Sequence, residues 1–205
     1  MTKKRSTHNS NSQISELQNS ILIKLLRDID IDDIINQYIT PNDKQILDIF
    51  CRTGNITIKI AKTFPFSQAL GIEENQKYLK IAKMKRRRSM LPNLEFVSLA
   101  NMPTLKEHND LVTMFFALTG HSKEKIKDIL INIKPTLKLR GKILIVDVEP
   151  DKITHAGLII GLYLSLFYKK RPNYSINILL EETGYNIIKQ QVVRGVTIIL
   201  ANLPN

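Results

Sequence analysis

A single cysteine, Cys51, stands in the 205 residues. One thiol excludes an internal disulfide framework and a zinc site built on cysteines. The four histidines, His8, His108, His121 and His155, lack ligand spacing such as His-Glu-x-x-His, so no metal is expected. No apolar run reaches the roughly 20 residues that a membrane-spanning helix needs; the longest, residues 156–168, stops short. Residues 1–18 hold no apolar stretch of the secretory kind and no acid before Glu16. They read as a disordered basic and polar tail, with an organelle transit peptide as the alternative. A reducing, cytoplasmic setting is the expectation from these absences. Acid is the other shortage: 19 Asp and Glu face 30 Lys and Arg, for a formal net charge of +11. Such an excess attracts anionic partners, nucleic acid or acidic membrane surface, without choosing between them.

What is present is the composition of an ordinary globular domain, 43% hydrophobic and 24% charged. Leu22, Leu25, Leu26 and Ile29 recur at helical spacing, and Ile31, Ile34, Ile35 and Tyr38 repeat it before Pro41 and Asn42 break the pattern. From residue 45 the pattern alternates. Short apolar runs at 45–50, 69–73, 94–99, 110–116 and 142–148 predict strands. Between them, 56–63, 76–87 and the stretch carrying Ile126, Ile129, Leu130 and Ile133 predict helices, the last ended by Pro135. Residues 137–140 read as a turn before Gly141. Helices are predicted at 156–167 and 176–182, then strands at 185–192 and 196–202. The connection at Arg194 and Gly195 is too short for a parallel crossover, so the last two strands must be antiparallel. The expected fold is α/β: a doubly wound, mostly parallel seven-stranded sheet, helices on both faces, and a C-terminal antiparallel hairpin. Beyond the tail, residues 19–205 read as one domain: N-terminal helices at 19–40, a ligand-binding core at 45–148, and C-terminal helices and hairpin at 149–205.

The run from Ile46 through Asp48, Phe50, Cys51, Arg52 and Gly54 to Asn55 resembles the first motif of class I S-adenosylmethionine-dependent methyltransferases, an apolar strand, an acid and a glycine loop. Gly71-Ile72-Glu73 resembles the second motif, where an acid closes strand two. The runs 93–97, 110–116 and 134–147 resemble the third strand, the fourth strand, and the helix, turn and fifth strand. In style the match is closest to quinone- and sterol-type enzymes acting on small molecules. The resemblance implies S-adenosylmethionine as cofactor, held by Asp48, Phe50, Cys51, Arg52, Gly54, Asn55, Glu73, Asn101, Met102 and Phe115, and a small apolar acceptor near Phe115 and Phe116. Glu73 suits the two ribose hydroxyls, since a carboxylate accepts from both. Asp48 would organise the loop, and Arg52 is matched to the cofactor's carboxylate.

Several family features are missing. Phe50 and Arg52 replace the first two loop glycines, where positive φ or close ligand approach favours glycine. After strand three, Asn101 and Met102 stand where an acid reads the adenine. The Asn-Pro-Pro-Tyr type of motif is absent, and no catalytic base is identifiable; methyl transfer needs mainly positioning. His121 falls near the expected site mouth, though a capping or surface role suits it as well. Two readings follow: an enzyme, or a non-catalytic methyltransferase-like scaffold, RNA-associated, that has lost its cofactor. Lys83, Lys85, Arg86, Arg87 and Arg88 form a basic run able to meet phosphates, or a solvated helix C-terminus favoured by the dipole.

Overall fold

Ile46, Leu47 and Ile49, like Leu111, Val112 and Met114, put apolar side chains on both faces of their strands, so both faces must be covered. The computed structural model describes residues 30–103, 106–118, 121–148, 174–193 and 196–204. The expected tail at 1–18, the first amphipathic segment at 22–29 and the apolar helix at 156–167 lie outside these residues.

Helix α1 (Ile31–Tyr38) starts at Asp30, whose carboxylate accepts from the N–H groups of Asp32 and Asp33, and it buries Ile34, Ile35 and Tyr38. The elements β1 (Gln45–Ile49), α2 (Asn55–Thr63), β2 (Gln68–Glu73), α3 (Gln76–Ser89), β3 (Leu94–Ser98), β4 (Asn109–Phe115), α4 (Lys123–Ile133), β5 (Leu137–Val148), α5 (Ile176–Glu182), β6 (Asn186–Val193) and β7 (Val196–Asn202) follow. One seven-stranded sheet runs in the order β3-β2-β1-β4-β5-β7-β6. The first five strands in this order are parallel; β7 is antiparallel to β5 and to β6. One core cluster lies on the face of α1, α2 and α3, around Ile35, Ile60 and Phe96. The other lies on the face of α4 and α5, around Ile126, Leu130 and Leu179. The doubly wound architecture and closing hairpin are as expected.

The predicted turn at 137–140 is corrected. These residues open β5, and the register jumps from Asn109↔Leu137 to Leu111↔Lys142, so the stretch between bulges out of the sheet. A Cβ on Gly141 would stand 2.9 Å from the Asn109 carbonyl and from the Lys138 backbone, which is why glycine occupies the point where the bulge closes. At the other end, Tyr185 donates its hydroxyl to the Leu130 carbonyl at 2.9 Å, locking the hairpin to α4.

Candidate functional site

The chain turns from β1 toward β2 and β3 on one side and from β4 toward β5 on the other. The carboxyl ends of β1 and β4 therefore flank the switch point, where open parallel sheets bind ligands. The loop 50–54 sits there. Phe50 (φ 57°), Arg52 (φ 54°) and Gly54 (φ 76°) all adopt the left-handed conformation. The glycine-type backbone is retained at every alternate position, although glycine survives only at the third.

The surroundings hold this shape. The Cys51 N–H donates to the Ile72 carbonyl at 2.9 Å, and the Gly54 N–H to the Cys51 carbonyl at 2.9 Å. The Arg52 N–H donates to Glu73 Oε2 at 2.7 Å, while Glu73 Oε1 accepts from the Asn75 N–H at 2.8 Å. Buried Glu73 thus joins the loop to the start of α3, and each oxygen keeps capacity for a further donor. Gly54 and Gly71 answer to one ring. A Cβ on either would come within 2.5 Å of Phe96, so both are glycine because β3 places an aromatic under the loop.

Asp48 is buried beneath the loop, its two oxygens accepting from Thr57 Oγ1 at 2.6 Å and Thr113 Oγ1 at 2.8 Å. Burial pushes its carboxyl up to about 6; the two threonine hydrogen bonds oppose the shift and the nearby Glu73 charge adds to it. The Cys51 thiol is driven upward by burial and by the charges of Asp48 and Glu73, which disfavours the thiolate. It packs against the first cluster instead.

Phe50, 3% exposed, packs in the second cluster and stacks on His121 with ring centroids 4.1 Å apart. His121 is held at both ring nitrogens, by the Ala117 carbonyl at 2.7 Å and Glu74 Oε1 at 3.0 Å. Glu74 also pairs with Lys125, which lies 5.6 Å from the Phe50 ring centroid. Burial alone would raise the Glu74 carboxyl, but hydrogen bonds from Lys125 and His121 hold it below the usual range. Loops from β1, β2 and β4 are thereby joined across the sheet end.

The other expected site residues take varied places. Asn55 begins α2, and its side-chain oxygen accepts from Lys85 at 2.6 Å; Lys85 also donates to Thr53 at 3.1 Å. Asn101 lines a groove of about 530 Å³ on the sheet face with Leu47, Leu70 and Val97, and Met102 packs on the second cluster. Phe115 and Phe116 are buried in the first cluster, Phe116 in a left-handed conformation. Of the basic run, Lys85 buttresses the loop and Arg86 donates to the Leu94 carbonyl, while Lys83, Arg87 and Arg88 are exposed. Sequence reasoning passed over Thr57, Thr113, Phe96 and Glu74. Thr113 carried a signal, being the polar residue inside the apolar run 111–116. Among the described residues no group of His, Cys, Asp and Glu is arranged to hold a metal.

The retained loop backbone, Glu73 at the end of β2 and buried Asp48 fit the cofactor that the motif implies. A family model described as a methyltransferase domain matches residues 46–141. No curated protein matches the chain. Among solved structures, the mitomycin 7-O-methyltransferase superposes with a TM-score of 0.76 at 17% identity, covering 97% of this chain and 59% of its own. A SAM-dependent methyltransferase from Aquifex aeolicus gives 0.73 at 15%, covering 93% and 96%. An O-methyltransferase from neocarzinostatin biosynthesis, solved with S-adenosyl-L-homocysteine and 1,4-dihydroxy-2-naphthoic acid, gives 0.73 at 14%, covering 96% and 60%. The chain thus spans about three fifths of two of these proteins.

Proposed function

We propose that this chain, whose residues 46–141 match a methyltransferase-domain model, uses S-adenosylmethionine to methylate a small, apolar acceptor. One observation carries the reading. The loop at the switch point keeps positive φ at Phe50, Arg52 and Gly54 without the family's glycines, and Glu73 accepts from the Arg52 N–H beside it. A left-handed non-glycine residue costs about 1–2 kcal/mol, so a loop released from ligand binding would be expected to relax.

When bound, S-adenosylmethionine supplies an activated methyl group. The chain's part is to position. In this reading the core at 45–148 binds the cofactor. Glu73 takes the ribose hydroxyls, Arg52 meets the carboxylate, Asp48 orders the loop through Thr57 and Thr113, and Lys85 braces it through Thr53 and Asn55. The apolar acceptor is argued from the small-molecule O-methyltransferases with the same fold, one of them bound to a naphthoic acid, and from Phe115 and Phe116 near the sheet end. A nucleic-acid acceptor would have only Lys83, Arg87 and Arg88 of the basic run to meet it.

Calorimetric titration with S-adenosylmethionine and with its demethylated product tests the reading. Saturable binding is expected; no heat at millimolar cofactor would refute it. Arg52→Gly restores the family residue without disturbing the backbone. It is expected to weaken binding by about tenfold through loss of a charge-assisted pair, and unchanged affinity would remove Arg52 from the site.

A further inference from the structure

Three large apolar side chains among the described residues are more than two thirds exposed: Phe66 at 87%, Met90 at 85% and Leu139 at 74%. All three lie at one end of the sheet, the amino ends of the parallel strands. Phe66 sits in the turn before β2, Met90 between α3 and β3, and Leu139 on the bulge opening β5. Hydrogen bonds make this edge continuous. The Asn93 side chain donates to the Ala61, Phe64 and Ser67 carbonyls, tying the approach to β3 onto the Phe66 turn. The Gln68 N–H donates to the Lys44 carbonyl, and the N–H groups of Glu107 and His108 to the Pro135 and Thr136 carbonyls.

The edge is also cationic. Lys44, Lys62, Arg87, Arg88, Lys106 and Arg140 are exposed along it, and no described acid pairs with them. Asp43, Asp110 and Glu95 are engaged by Lys142, Lys138 and Arg86, and Glu107 is exposed beside them.

We propose that this edge docks on the surface of an anionic phospholipid bilayer, with Phe66, Met90 and Leu139 entering the interface and the six cations meeting the headgroups. Isolated exposed apolar residues need no explanation. Three protruding from separate connections on one edge, among unpaired cations, combine the two contributions that hold a protein at a membrane surface: apolar burial and attraction to anionic lipid. A nucleic-acid backbone would satisfy the cations but leave Met90 and Leu139 without a partner. The edge lies at the opposite end of the strands from the loop 50–54, so docking locates the protein while the ligand crevice faces away. The inference is independent of the methyltransferase reading.

The chain has no tryptophan, so Phe66→Trp provides a single reporter. Mixed with vesicles of phosphatidylcholine containing phosphatidylglycerol, this variant is expected to shift its emission to the blue, and to show no shift with phosphatidylcholine alone. The wild-type chain should co-sediment with the anionic vesicles. The triple variant F66S/M90S/L139S, exposed enough to fold normally by circular dichroism, should bind at least about tenfold more weakly. Absence of a blue shift, or a triple variant that binds as well as wild type, would overturn the proposal. Binding to single-stranded RNA that competes fully with vesicles and ignores the triple substitution would do the same, since it marks the edge as a plain polyanion surface.

Discussion

At the scale of residues, the site rests on groups held in costly states. Asp48 has its carboxyl pushed up to about 6 from an ordinary 3.8, chiefly by burial. A folded-state value above the unfolded one means stability that is complete below about pH 4 and lost as pH rises through about 6. Asp48→Asn removes the titration while keeping a side chain able to meet Thr57 and Thr113. Its stability relative to wild type should therefore rise with pH, by up to ~3 kcal/mol between acid and alkaline conditions. Urea melts across that range measure it, and parallel curves for the two proteins would refute the argument. Phe50→Gly pits two effects against each other. Truncating a buried aromatic costs about 3–5 kcal/mol, and relief of the left-handed backbone returns about 1–2 kcal/mol. A net loss near 2 kcal/mol is expected in the same melts. A stabilised variant would show that the stack on His121 contributes nothing.

At the scale of elements, β3 and α3 support the loop from below and beside. Phe96 fills the space that glycine leaves at both 54 and 71. Gly71→Ala should cost about 1–3 kcal/mol by overpacking, and Phe96→Leu in the same chain should recover part of it; no recovery would place the strain elsewhere. Lys85→Met should leave stability within about 1 kcal/mol, since the side chain is partly exposed, yet weaken cofactor binding by loosening Thr53 and Asn55. Equal binding by calorimetry would reduce Lys85 to a surface residue. These elements show what sequence periodicity carries and what it does not. Each strand of the sheet was legible because apolar runs and turn residues report burial locally. The opening of β5 was not: Lys138 and Arg140 read as polar turn residues because they stand on a bulge, where the side-chain alternation of a strand is interrupted. The role of Lys85 was hidden for a different reason. Its partners lie about thirty residues away, and a basic run looks the same whether its members face solvent or brace a loop.

At the scale of the whole molecule, the +11 charge says only that an anion is welcome; topology decides where. The sheet separates two ends, one holding loop 50–54 and the Phe50–His121 stack, the other the cationic apolar edge. Sites at opposite ends of one sheet are expected to be independent of each other. Cofactor affinity measured with and without anionic vesicles is therefore expected to agree within about twofold. A change of tenfold or more would mean that docking reshapes the crevice.

The left-handed positions at 50 and 52 bear on portability. A loop bent by glycines carries its shape in its own residues and keeps it when moved to another strand end. Here the bend is stored in the neighbours: the Ile72 carbonyl, the Glu73 carboxylate and the ring of His121. Grafted alone onto a different parallel sheet, residues 50–54 would lose their form, and only a transplant that brings the end of β2 and the turn after β4 would preserve it.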